Sequence, residues 1–136
     1  EEFLRAVIEA NPNVVVIIDE AYADFSGYTA LPLVDEYENV VVVQTFSKSR
    51  SMAGMRIGHA IGNAKLIKAM NDVRYSFNSY PMTRLSVALG VAALSDQDYF
   101  EETTAKIVAT RAHQTGTYGA WFYVWRFDDK FYFCDT

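Results

Sequence analysis

Two unbroken β-branched runs, Val14 to Ile18 in "VVVIID" and Val40 to Gln44 in "VVVVQ", restrict this chain more than anything else in it. Short apolar runs without alternation belong to strands buried on both faces, the habit of parallel sheets. Parallel neighbours need a crossover, and "YTALPLVDEYEN" between the runs is placed to supply it. Ahead of the first run, "EEFLRAVIEA" sets Phe3, Leu4, Val7 and Ile8 on one helical face and stops at Asn11-Pro12, where proline disfavours further helix. Helix, strand, crossover and strand in that order spell an α/β architecture. "RIGHAIG", 56–62, reads as a third strand punctuated by glycines. Helical spacing predicts helices over 64–73 and 83–94, then one capped at Asp96 and running from Tyr99 towards Arg111.

Composition narrows the partners. A hydrophobic share of 51% over 136 residues suits one packed domain or a piece of a larger one. The net charge of -5 and the scattered Lys and Arg residues argue against nucleic acid or an anionic membrane surface. No apolar run approaches a membrane span, and the acidic amphipathic N-terminus is unlike a signal peptide, so the expected location is cytoplasmic. One cysteine, Cys134, makes neither a disulfide nor a metal framework, and His59 and His113 lack partners at ligand spacing. No metal site is expected, and small molecules remain as partners.

In open α/β sheets ligands gather beyond the carboxyl ends of strands. Asp19 follows the first run directly and Lys48 follows the second within "QTFSKSRSMAGMRIG". An apolar strand ending in Asp-Glu also fits the magnesium-holding Walker B carboxylate of a P-loop NTPase, but the GxxxxGK[ST] loop that reading requires is not in this sequence. Lys48 points elsewhere. A lysine made nucleophilic by desolvation or a neighbouring cation condenses with carbonyls as a Schiff base. If the carbonyl is that of pyridoxal 5'-phosphate, the site also needs an anion for the ring nitrogen and donors for the phosphate. Asp19 meets the first need, and Thr45, Ser47 and Arg56 meet the second with hydroxyls and a guanidinium. Glu20 reads as a structural hydrogen-bonding partner, Ser49, Arg50 and Ser51 as loop surface, and Met52 and Met55 as packing groups.

"IIDEAYADF" followed by "TFSKSRSMAGMRIG" resembles the core of fold-type I pyridoxal-phosphate-dependent aminotransferases. The form S-K-x-x-x-x-A-G-x-R-x-G, with its arginine eight positions beyond the lysine, is most similar to the histidinol-phosphate aminotransferases. The likeness extends from residue 1 to about residue 111. It implies that Lys48 is the Schiff-base lysine and moves the proton at the substrate's α-carbon. Asp19 then keeps the ring nitrogen protonated, Tyr22 bonds the cofactor's phenolic oxygen, and Ala21 packs near the ring. Ser47 and Arg56, with Thr45, hold the phosphate. The substrates implied are L-histidinol phosphate or a related amino acid and 2-oxoglutarate, and the full-length form implied is a homodimer. Other aminotransferases of this fold and threonine-phosphate decarboxylase share the lysine region. A non-catalytic fragment, or a piece of a P-loop NTPase with Asp19 as its Walker B carboxylate, is the reading of another class.

The resemblance also divides the chain. Residues 1–95 correspond to the C-terminal half of a cofactor-binding large domain with a mostly parallel sheet and flanking helices, and 96–117 to an interdomain helix. The family's cofactor-contacting asparagine, ring-stacking aromatic and N-terminal phosphate loop would precede residue 1, and its substrate-carboxylate arginine falls in the later small domain. A central fragment of this kind is expected not to transaminate alone. Residues 118–136 depart from the family's strand pair: "YGAWFYVWRFDDKFYFCDT" holds nine of the twenty aromatics and both tryptophans. They read as the first strands of a small domain or as an aberrant aromatic tail.

Overall fold

The computed structural model describes residues 1–118, 124–127 and 130–133, with side chains as far as Arg111. Helix α1 (Glu2–Ala10) leads into strand β1 (Val16–Asp19), helix α2 (Leu31–Glu36) and strand β2 (Val40–Thr45). Strand β3 (Gly58–Gly62) is followed by three helices, α3 (Ala64–Phe77), α4 (Arg84–Ser95) and α5 (Gln97–Tyr118). A separate antiparallel pair, β4 (Val124–Phe127) and β5 (Lys130–Phe133), joins Val124 to Phe133 and Phe127 to Lys130 in register. Cys134 and the side chain of His113 lie outside the described residues.

β1 and β2 pair in parallel, with Val16 opposite Val40 and Asp19 opposite Val43. α2 fills the crossover, as its proline near the first turn and its apolar Leu31, Leu33 and Val34 allow. Ile8 of α1 and Ala30 and Leu33 at α2 close over Val40 and Val42, with Val16 and Ile18 packed at the margin. Alternate side chains of each strand thus form one small core beneath two helices.

Three expectations are corrected here. The sheet is mixed, because β3 runs antiparallel to β2, with Val41 opposite Gly62 and Thr45 opposite Gly58. A short connection through 46–57 permits that return, whereas a parallel return needs a longer crossover. β1 is also not buried on both faces: Val16 and Ile18 are half-buried, but Ile17 is 66% exposed. β1 is an edge strand with helices on one side only, so its continuous apolar pattern exceeds the burial that the described residues provide. Phe3, placed by periodicity on the inner face of α1, is likewise exposed.

The helices start where their caps dictate. Asn63 accepts from the Lys65 N–H at 2.9 Å, and Thr83 accepts from the Ser86 N–H at 3.0 Å. Asp96 accepts from the Tyr99 N–H at 3.2 Å, which makes it the cap the sequence suggests for α5. α3 runs past its expected end at Val73 to Phe77, ahead of Pro81. α4 turns its small residues to the loop before β3: buried Ser86 donates to the Met55 carbonyl at 3.1 Å, and Gly90, four residues on, faces Ile57.

Candidate active site

Both strand ends expected to carry chemistry lie side by side. The parallel register sets Asp19 opposite Val43, and the Glu20 N–H donates to the Val43 carbonyl at 2.9 Å, which prolongs the pairing by one residue. The chain then turns away from the sheet. Asp19 is exposed, and its Oδ1 accepts from the Ala21 N–H at 2.9 Å in a tight local turn. That turn delivers Tyr22 to the mouth of the site, with its ring 6.4 Å from Phe25 in a single 3₁₀ turn, Ala23–Phe25.

Glu20 faces the other way and is 9% exposed. Its carboxylate accepts from the Thr29 hydroxyl at 2.8 Å, from the Ala30 N–H and from the Gln44 amide at 2.8 Å. Gln44 in turn meets His59 at 2.9 Å. The chain Thr29, Glu20, Gln44 and His59 is structural, as expected for Glu20 and His59. It ties the carboxyl ends of β1 and β2 to β3 and the start of α2.

Beyond β2 the lysine loop folds on itself. Thr45 accepts from the Ser47 N–H at 3.1 Å, the two hydroxyls lie 2.9 Å apart, and the Ser51 N–H closes a turn on the Lys48 carbonyl at 3.1 Å. Ser51 and Arg56 hold left-handed backbone angles, with φ of 55° and 54°. For residues other than glycine such angles persist only where their surroundings impose them, and they cluster at functional sites. Lys48 is exposed, and its Nζ stands 5.3 Å from the centre of the Tyr22 ring, within cation–π reach.

Lys48 therefore meets Tyr22, Asp19 meets Ala21, and Thr45 meets Ser47. Arg56 lies two residues before Gly58, the residue paired with Thr45. Its guanidinium donates to the Ala53 carbonyl at 2.9 Å and not to the Thr45 and Ser47 hydroxyls. Among the described residues no hydrogen bond or ion pair joins Asp19 to Lys48. The donor set nonetheless has the chemistry of a site for a phosphorylated aldehyde: an exposed carboxylate, an amine over a phenol, paired hydroxyls and a guanidinium, all at or near neighbouring strand ends.

Two loop residues are not the surface groups expected. Ser49 is 4% exposed and donates to Asp24. Arg50 donates to the Ala93 carbonyl at 2.6 Å and stacks 4.1 Å from Phe100 and 5.6 Å from Phe46. It pins the lysine loop to α4 and α5, beside a cleft of about 460 Å³ that includes Met52, Leu89 and Tyr99. Apart from Phe46, the partners of these residues lie 25 to 50 positions away in sequence, beyond the reach of any local pattern.

Residues 1–117 match the family model described as aminotransferase class I and II. A histidinol-phosphate aminotransferase of Aromatoleum aromaticum is 52% identical over 108 residues, covering 79% of this chain and 30% of that protein. Histidinol-phosphate aminotransferase from Sinorhizobium meliloti, solved in complex with pyridoxal-5'-phosphate, has a TM-score of 0.72 at 32% identity, over 82% of this chain and 30% of that one. The aspartate aminotransferase of Rhizobium meliloti reaches 0.71 at 29% identity, over 88% and 31%. The chain spans about 30% of the length of the curated relatives it matches. Since one family model accounts for the chain from its first residue through nearly all of α5, the chain belongs to the aminotransferase class I and II family.

Proposed function

We propose that this chain is the central part of a pyridoxal-phosphate-dependent aminotransferase that moves an amino group from L-histidinol phosphate, or a closely related amino acid, to 2-oxoglutarate. The observation carrying this reading is the Lys48 amine held over the Tyr22 ring beside the Asp19 strand end. Membership of the aminotransferase class I and II family supports this reading over the nucleotide-binding one. Structural likeness extends to an aspartate aminotransferase, so the choice of amino donor rests on the 52% identity to a histidinol-phosphate enzyme.

When bound, the cofactor supplies an aldehyde for amines and a cationic ring that takes up electron density from a substrate carbon. Asp19 keeps the proton on the ring nitrogen, because a carboxylate beside a pyridine favours its charged form. Tyr22 donates to the phenolic oxygen, and Ala21 packs beside the ring. Thr45, Ser47 and Arg56 bind phosphate oxygens, for which Arg56 exchanges its bond to Ala53 for a charge-assisted one. Lys48 provides the amine and carries the proton to and from the substrate's α-carbon. Residues 1–95 belong to the large domain and 96–117 to an interdomain helix, with 118–136 either the first strands of a small domain or an aberrant aromatic tail. Turnover, and the homodimer in which it occurs, belong to the longer protein.

Incubation with pyridoxal phosphate, reduction with borohydride and peptide mass spectrometry test the reading directly. The pyridoxyl label is expected on Lys48. A label spread evenly over Lys65, Lys68 and Lys106 would overturn it, because no pocket would then single out one amine.

A further inference from the structure

Lys48 and Ser49 are adjacent and opposite in fate: the lysine is exposed, and the serine is 4% exposed. The Ser49 hydroxyl donates to Oδ2 of Asp24, two residues beyond Tyr22. Among the described residues this is the one side-chain hydrogen bond between 21–26 and 46–56. The loop bearing the lysine and the loop bearing the phenol are joined there, next to the contact between Lys48 and Tyr22.

That contact does not hold itself. An exposed cation–π interaction is weaker than the rotamer entropy of a free lysine side chain, so Nζ stays over the ring only if the backbone beneath both residues is fixed. A hydroxyl donating to a carboxylate is among the stronger hydrogen bonds, and Ser49 is shielded from competing water. Arg50 anchors the same loop but ties it to α4 and α5, away from Tyr22. We propose that Ser49 and Asp24 form a clasp that positions Lys48 against Tyr22, which makes them positioning residues for the reaction proposed above, on which their role in turnover rests.

Competitive labelling of amines in the cofactor-free chain, quantified by mass spectrometry, reads the clasp without relying on the cofactor. Lys65 and Lys68 serve as internal standards, since both are exposed on α3. Ser49→Ala and Asp24→Ala are each expected to raise Lys48 labelling relative to these standards by roughly threefold, the ratio that one net hydrogen bond supports. Asp24→Asn keeps an acceptor oxygen without the charge, and is expected to give a ratio between those of the native chain and Asp24→Ala. Asp24 is exposed, so its variants keep the measurement decisive should Ser49→Ala fail to fold. An unchanged ratio in Asp24→Ala overturns the clasp, as does an equal rise in Arg50→Ala, which would assign the effect to the loop as a whole. Absence of a pyridoxyl label on Lys48 in the native chain overturns the proposed function and leaves the labelling ratio to decide the clasp.

Discussion

At the scale of single residues, burial separates the two acids of the Asp-Glu pair. Asp19 is exposed and bonds only its own turn, whereas Glu20 is enclosed by three donors, which is why one remains available for chemistry and the other holds the sheet. A second cluster joins α1 to α2: Arg5 donates to Glu36 and Glu1, and the Tyr37 hydroxyl donates to Glu9 at 2.7 Å. The hydrogen bonds from Arg5 hold the Glu36 carboxyl below its usual value of 4.5. A depressed carboxyl pKa means that the unfolded chain binds the proton more readily. The contribution is therefore present above pH 4.5 and is lost as the pH falls through the lower folded value. Glu36→Gln is expected to lower the melting temperature slightly near pH 7 and to converge on the native profile as the pH falls below 4.5, a small effect because exposed ion pairs contribute little. An acid limb as steep as the native one would place the titration elsewhere.

At the scale of elements, β3 lies so close to β2 that glycine is required at the point of approach. A Cβ on Gly62 would stand 3.0 Å from the Val40 carbonyl oxygen and 3.1 Å from the Val41 side chain, and neither can retreat without distorting the ladder. On Gly90 of α4 it would stand 3.0 Å from the terminal methyl of Ile57, which has rotamers to yield. Gly62→Ala is expected to cost about 1–3 kcal/mol, the usual range for overpacking. Gly90→Ala should cost less, helped by the better helix propensity of alanine. Urea denaturation of both variants checks the ranking, and the reverse order would refute it. The glycines of "RIGHAIG" signal a strand with special requirements, and the antiparallel pairing shows why: a Cβ on Gly58 would stand 3.2 Å from the Gln44 carbonyl oxygen, and one on Gly62 is tighter still.

At the scale of the molecule, the described sheet has three strands and ends at β1, where Ile17 within the strand and Val14 and Val15 just before it are all exposed. An open edge with apolar side chains invites pairing with another strand. The 136-residue chain is thus expected to self-associate as concentration rises, and Ile17→Lys, a charge on the uncovered face of the edge strand, to suppress it. Sedimentation velocity distinguishes the outcomes, and equal association of the variant would exclude this edge as the cause. The apolar pattern at 14–18 is that of a strand covered on both faces, which fits a chain spanning about 30% of the length of its curated relatives.

Local pattern was sufficient wherever the cause was local. Periodicity placed most of the helices and Asp96 marked the start of one of them, and β-branched runs marked β1 and β2 because such side chains pack well in extended backbone. Strand-end position and family resemblance name Asp19, Tyr22, Lys48 and Arg56 as a candidate site, and of these four the structure brings Lys48 against Tyr22. Tertiary structure alone decided what depends on distant partners. It reversed β3 against β2, exposed one face of β1, and turned Ser49 and Arg50 from expected surface into anchors on Asp24, Ala93 and Phe100. Strand direction and side-chain burial depend on which remote segments arrive alongside, and no window of neighbouring residues contains that information.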